Sequence, residues 1–269
     1  MFEYYESGLE AGRLSSAEGQ LEFVRTQRII ERFLPATPSI ILDIGGGPGA
    51  YACWLAREGH TVHLIDPVAL HLEQASQASA LQPESPITSI GLGDARKLDF
   101  SDEFADVALL LGPLYHLTER SDRITALSEA RRVLKPGGIL IGASISRFAS
   151  AFAGLIDGYL EDPEFVPIIR QDLRNGQHRN PTNKPSYFTD AFFHHPQELR
   201  SEVAEAGFSI VKLLAIEGAA VFLQDLEEQW QDNKRRERIL QLVERLESEP
   251  SILGVTGHMA VVARKDTAR

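Results

Sequence analysis

The sequence predicts an α/β fold in which a seven-stranded, mostly parallel sheet, its last strand antiparallel, carries helices on both faces. Three observations predict it. An apolar run at 40–42 ends in Asp43, breaks into glycines at 45, 46, 47 and 49, and restarts as a helix-like segment, Ala50–Ala56. Short apolar runs then alternate with stretches of helical period as far as residue 146, as strand–helix–strand units require. The run Phe104–Gly112 is apolar almost throughout, as a strand buried on both faces must be.

The elements follow in order. Residues 14–34 place Leu21, Val24, Ile29, Ile30, Phe33 and Leu34 on one helical stripe, and Pro35 and Pro38 end it. The first strand and the glycine-opened helix come next. Gly59-His60 stops that helix, and Thr61–Ile65 forms a second strand ending in Asp66-Pro67. That pair also suits a helix start, with proline at the first position. A third strand near 87–92 runs into Gly93-Asp94-Ala95, and the fourth, 104–112, into Pro113-Leu-Tyr-His-Leu117. A helix over 122–134 turns at Lys135-Pro-Gly-Gly138 into a fifth strand, 139–145. Residues 147–195 then leave the sheet as two short helices, a polar turn-rich stretch and an aromatic run. A loop of that length is usually functional or disordered, and its aromatic content argues against disorder. A helix from Pro196 to Gly207 and a sixth strand, 209–216, return to the sheet. A charged amphipathic helix spans 225–248, and 257–263 closes the sheet as the antiparallel seventh strand beside the sixth. The expected organisation is a lid helix and ligand-binding core over 1–146, an inserted cap over 147–195, and the rest of the core over 196–269 with an inserted helix at 225–248.

The glycine run carries the chemistry. Glycine tolerates positive φ and lets a ligand approach bare backbone, while the helix N-terminus offers unpaired N–H groups. Two nucleoside ligands fit. Gly45-x-Gly47-x-x-Ala50, with Asp66 about twenty residues on, matches a degenerate dinucleotide fingerprint, which would make the chain an NAD-dependent oxidoreductase. Asp43 favours the other ligand. A pyrophosphate prefers a helix N-terminus free of negative charge, whereas a carboxylate two residues before the first glycine suits a cationic ligand end.

The pattern Asp43-x-Gly45-x-Gly47-x-Gly49 resembles the first motif of class I S-adenosylmethionine (SAM) dependent methyltransferases. Asp66, Gly-Asp94-Ala and the run Glu129-Ala-Arg-Arg-Val-Leu-Lys-Pro-Gly-Gly138 follow in that superfamily's order. The resemblance covers residues 36–146 and is to bacterial small-molecule methyltransferases, including the quinone-biosynthesis type. It implies a Rossmann-like sheet and SAM as cofactor, with S-adenosylhomocysteine as product. It further implies that Gly45, Gly46, Gly47, Gly49 and Gly112 pack on SAM with Asp43, that Asp66 grips the ribose, and that Asp94 and Ala95 meet the adenine. An N-terminal lid would add Tyr5 and Arg25, the latter facing SAM's carboxylate. Tyr115 and His116, after the fourth strand, are the candidate catalytic residues, His116 because it titrates near neutrality. Arg147, His178, Tyr187, Phe192, His194 and Trp230 are candidate walls of an acceptor pocket. The acceptor expected is a small aromatic or heterocyclic molecule methylated at nitrogen or oxygen. A SAM-binding accessory protein without catalysis is the remaining alternative.

Composition narrows the partners. A net charge of −11 argues against binding a nucleic-acid backbone, which needs clustered cations. The basic run at 234–238 sits among acids and reads as a solvated helix face. No apolar stretch reaches membrane-spanning length and no signal-like segment is visible. One cysteine, Cys53, allows no internal disulfide and fits a reducing cytoplasm. The eight histidines show no metal-binding spacing, so no metal is expected. The chain is expected to work as a monomer or homodimer on a small molecule, with neither nucleic acid nor membrane as partner.

Overall fold

The computed structural model describes residues 12, 14–35 and 38–267. Helix α1 (Ala17–Phe33) opens on Ser16, whose hydroxyl accepts from the Gly19 N–H at 3.1 Å. The core then alternates as expected: β1 (Ile40–Ile44), α2 (Ala50–Arg57), β2 (Thr61–Asp66), α3 (Ala69–Ala80), β3 (Ser89–Leu92), β4 (Ala105–Leu110), the single turn α4 (Pro113–His116), α5 (Arg120–Val133) and β5 (Leu134–Ile145). Next come α6 (Ala149–Ile156), α7 (Phe165–Asn175), and the short strands β6 (Gln177–His178) and β7 (Ala191–Phe192), which pair only with each other. The chain ends with α8 (Pro196–Glu205), β8 (Ser209–Ala215), α9 (Leu226–Gln231), α10 (Asn233–Leu246) and β9 (His258–Arg264).

The main sheet has the order β3-β2-β1-β4-β5-β9-β8. All pairs are parallel except those of β9, which runs antiparallel to β5 on one side and β8 on the other. Two apolar layers cover its faces. One packs α5 and α8 residues such as Leu127, Val133 and Leu199 against Leu42, Leu110 and Val261. The other packs Ile29 and Ile30 of α1 with Trp54 and Leu55 of α2 against Ile41, Val107 and Val262. A third cluster binds α1 to the C-terminal insertion through Leu21, Leu226, Trp230, Leu240 and Val243.

Two elements depart from expectation. The Lys135-Pro-Gly-Gly138 segment is not a turn before the strand but a bulge within it. Leu134 already pairs with Ala105, and the ladder resumes at Ile139 opposite Val107. The expected helix over 225–248 is two helices. Asp232 is extended at the break, and its carboxylate accepts from the N–H groups of Lys234 and Arg235 at 2.8 and 3.1 Å, capping α10.

Candidate active site

The strand order reverses between β1 and β4, and a ligand crevice opens beyond the C-terminal ends of strands at such a switch point. The glycine loop fills this place. Gly45 has φ of +71°, and a Cβ there would meet Pro113 Cγ at 2.8 Å. A Cβ on Gly46 would meet Asp43 Oδ2 at 2.7 Å. The loop therefore lies flat between α4 and the end of β1, with its backbone open toward the crevice.

Asp43 is 1 % exposed, and among the described residues its Oδ2 has no hydrogen-bond partner. Burial, then repulsion from Asp66, push its pKa up to about 7, against one backbone hydrogen bond from Ala52 that lowers it. A buried carboxylate with one unmatched oxygen, lining a cavity, is a seat for a cation.

Three cavities run in series across this edge of the sheet. The first is lined by Asp66, His71, Asp94, Ala95, His116 and Leu117 together with the glycine loop. The second is lined by Asp43, Glu22, Thr26, Tyr51, Ile216 and His258. These two share Gly45, Gly47, Gly112 and Tyr115, which form the waist between them. The third lies between α1, α6 and the segment after β8. It shares Glu22 and His258 with the second.

In the first cavity Asp66 is tightly held. Its Oδ2 accepts from the Gly47 N–H at 2.8 Å, and its Oδ1 accepts from the Val68 N–H at 2.9 Å and lies 3.0 Å from His71 Nδ1. The helix-start reading of Asp66-Pro67 is corrected: α3 begins at Ala69 with Val68 as its N-cap, and Asp66 instead fixes the glycine loop and the turn at Val68 while facing the crevice. A carboxylate has about four acceptor sites, so room remains for a ligand hydroxyl but not for an unencumbered two-oxygen grip. Asp94, at the cavity rim, is bonded by Arg96 through both side chain and backbone. The Arg96 side chain holds its carboxyl below the usual range.

Where the second and third cavities meet, Glu217 and His258 form a dyad. Glu217 Oε1 lies 2.7 Å from His258 Nδ1, and Oε2 accepts from the His258 N–H at 2.8 Å and the Thr256 hydroxyl at 2.9 Å. Burial pushes the Glu217 carboxyl up, but the His258 ring and the hydrogen bonds outweigh it and hold it below the ordinary value. Glu22 is the third member. Donor atoms of Glu22, Glu217 and His258 all lie within 4.8 Å of one another, close enough to share one proton or one small cation.

A methyltransferase-domain family profile matches residues 42–142. The ubiquinone/menaquinone biosynthesis C-methyltransferase UbiE of Neisseria meningitidis serogroup C is 30% identical over 179 residues, 64% of this chain and 67% of that protein. The chain belongs to the class I SAM-dependent methyltransferases. Methyltransferase GfsG of Streptomyces halstedii is 31% identical over 45% of this chain and 42% of its own length. Among solved structures, a SAM-dependent methyltransferase from Methanosarcina mazei superposes with a TM-score of 0.62 at 19% identity, covering 89% of this chain and 98% of that one. That likeness concerns the fold alone. The residues of the crevice fit SAM: the orphaned Asp43 oxygen would suit its cationic end, and the glycine loop leaves the room a Cβ would fill.

The structure brings Asp43, Gly45, Gly46, Gly47, Asp66, Asp94, Ala95, Gly112, Tyr115 and His116 together around the first two cavities. Gly49 lies behind the loop as the N-cap of α2, packed on Ala75. Tyr5 lies outside the described residues. Arg25 is a correction. It is fully buried, bonds Glu247 and the Ile216 carbonyl, and ties α1 to the end of α10 instead of facing the crevice. The proposed pocket wall is corrected likewise. Arg147 bonds the Phe193 carbonyl and Glu198. His178 is fixed between Asp172 and the Tyr187 carbonyl at 2.8 Å each. Tyr187 bonds Asp162, Phe192 lies 3.7 Å beneath the Arg123 guanidinium, and His194 pairs with Glu202. Trp230 donates to Gln20 and packs on α1. These six hold the insertions together and line none of the three cavities. The third cavity is instead walled by Leu21, Phe152, Ile156, Val221 and Leu226, with Glu18, Glu22, Asp157 and Glu217 among them. Sequence reasoning missed these. The available signal was position: Glu217 follows a strand parallel to β5, and His258 opens the antiparallel β9, so both lie on the crevice edge.

Proposed function

We propose that this chain methylates nitrogen or oxygen of a small aromatic or heterocyclic molecule. SAM spans the first two cavities and the acceptor occupies the third. The observation that carries the reading is the continuity of the three cavities, the first two sharing Gly45, Gly47 and Gly112 and the last two sharing Glu22 and His258. The nucleoside lies with Asp66, Asp94 and Ala95, and the amino-acid end lies with Asp43. SAM supplies an electrophilic methyl group on a sulfonium. The protein's own share is alignment and exclusion of water. Tyr115 at the waist borders the sulfur, and His116 stays on the nucleoside side. Residues 147–195 act as a cap in two parts: α6 faces the acceptor, and the aromatic run behind it braces α6.

The relative UbiE is, by its name, a C-methyltransferase. For a heteroatom acceptor the His258–Glu217 pair would remove the proton of a hydroxyl or a protonated amine. Calorimetry with SAM, S-adenosylhomocysteine and NAD on one sample tests the cofactor assignment. SAM and its product are expected to bind and NAD not to. Comparable or tighter NAD binding refutes the reading.

A further inference from the structure

The third cavity combines two features that point to one class of acceptor. Its apolar walls are Leu21, Phe152, Ile156, Val221 and Leu226. Four carboxylates, Glu18, Glu22, Asp157 and Glu217, share the lining, with no lysine or arginine among the described residues there. Burial raises the pKa of both Glu18 and Asp157, and Glu18 is raised further by Asp157 and Glu217. The carboxylates thus repel one another when empty of a cation. A cationic ligand relieves that repulsion. A phenol losing its proton, or an acceptor bearing a carboxylate, adds to it.

The second feature is independent of the charge count. At the end of this cavity that adjoins the cofactor crevice stands His258, its side chain 25 % exposed and its Nδ1 2.7 Å from Glu217 Oε1. Glu217 is itself buried, and its carboxylate also accepts from the backbone N–H of His258, so ring and carboxylate are locked in register. The Glu217 carboxylate holds a ring proton on Nδ1, so a further proton taken up by the ring goes to Nε2.

We propose that the acceptor is an organic ammonium ion with an apolar body, seated in this cavity, and that His258, positioned by Glu217, takes the proton its nitrogen must lose before methylation. The inference rests on the SAM-dependent reading above. The proton passes from the ammonium nitrogen to His258 Nε2. The freed lone pair forms the N–C bond to the methyl carbon while that carbon's bond to sulfur breaks. The bonding pair stays on sulfur, leaving S-adenosylhomocysteine and an N-methylated ammonium. The groups that set the pH dependence are Glu22 on α1, Glu217 after β8, Asp43 across the second cavity, and Tyr115 on α4, whose ring centroid is 6.4 Å from that of His258. Glu18 and Asp157 face the same space from α1 and the end of α6.

The test uses the full chain with SAM and three probes of similar apolar body: 2-phenylethylamine, 4-ethylphenol and phenylacetate. Product formation is read as S-adenosylhomocysteine and as the mass of the methylated probe. The amine is expected to be turned over with a kcat/KM at least about tenfold above the phenol, and phenylacetate not at all. Preference for the phenol or the acid overturns the proposal. Glu18→Gln and Asp157→Asn should raise the KM for the amine with kcat little changed. His258→Gln should lower kcat about 100-fold or more and abolish the low-pH limb of the rate profile, and Glu217→Gln should shift that limb. A wild-type profile without such a limb, or a limb that survives in folded His258→Gln, overturns the base assignment. Activity lost in EDTA and restored by Mg²⁺ or Mn²⁺ makes the Glu22–Glu217–His258 cluster a metal site and overturns it too. Calorimetry with SAM separates the levels. If SAM binds and the amine is rejected, this inference fails alone; if SAM does not bind, the cofactor reading fails first.

Discussion

Replacing Asp43 with asparagine should stabilise the empty protein while weakening its hold on SAM. The carboxyl is buried beneath the glycine loop, and its pKa is raised from 3.8 to about 7 by burial and then by Asp66. Between those two values the folded state binds more protons than the unfolded one, so stability falls as pH rises through that window and the full penalty is present above about pH 7. At about 1.4 kcal/mol per pH unit the penalty is about 4 kcal/mol. Asparagine removes it but places an amide N–H where Oδ2 has no partner, at a cost of about 1–3 kcal/mol. The net gain is about 1–3 kcal/mol at pH 8 and vanishes or reverses near pH 4, where the parent carboxyl is also neutral. Urea denaturation of both proteins at pH 8 and pH 4 measures the difference directly. A stability difference that does not change with pH would refute the burial argument.

The same substitution tests the ligand. An ammonium or sulfonium beside Asp43 favours its ionised form, so SAM binding near pH 6.5 should release a proton. Calorimetry in two buffers of different ionisation enthalpy reads that release, and it should disappear in Asp43→Asn. Affinity for SAM should fall about ten- to a hundredfold, the worth of a hydrogen bond to a charged group. If Asp43→Asn binds SAM as the parent does, Asp43 is a structural residue of the loop and the cation lies elsewhere.

Three further outcomes follow from the packing. Glu202 accepts from Arg123 at 2.8 and 2.7 Å and from His194 at 3.2 Å; despite burial, these partners lower its pKa from 4.5 to about 2. Its contribution is therefore complete above pH 4.5 and lost as pH falls toward 2, and Glu202→Gln should cost about 3 kcal/mol at pH 7, read by denaturation at pH 7 and pH 3. Trp230→Ala should lower stability by about 3–5 kcal/mol through the α1–α9–α10 cluster while leaving SAM affinity unchanged; a fall in acceptor turnover without loss of stability would return Trp230 to the pocket. Phe152→Ala should do the reverse, raising the acceptor's KM with little change in SAM affinity, and equal effects on both ligands would displace the acceptor from the third cavity.

The sheet and the cofactor crevice were legible because each depends on local sequence. Asp43, the four glycines, Asp66 and Asp94 sit at strand ends or helix starts, where neighbouring residues announce the geometry. The split at Asp232 was missed: Asp before a polar start is a capping signal, but the apolar stripe on either side of it reads as continuous. The bulge at 135–138 was hidden because Pro-Gly-Gly announces a turn, and only pairing with β4 shows that the strand has already begun at Leu134.

The acceptor side was misread for a different physical reason. Aromatic and histidine side chains at 178–194 looked like a pocket, yet each found a protein partner, His178 and Tyr187 within the insertion and Phe192 and His194 on α5 and α8. Nothing local distinguishes a histidine fixed by Asp172 from one facing a ligand. The strand-end rule discriminates better. Applied to the first four strands it located the crevice; applied to the sixth and seventh it points to Glu217 and His258. Those two are 41 residues apart in the chain and meet only because β9 runs back between β5 and β8. An antiparallel last strand begins on the edge where its parallel neighbours end. In this fold the first residue of β9 therefore lies on the same edge of the sheet as Asp43 near the end of β1, and His258 occupies that position.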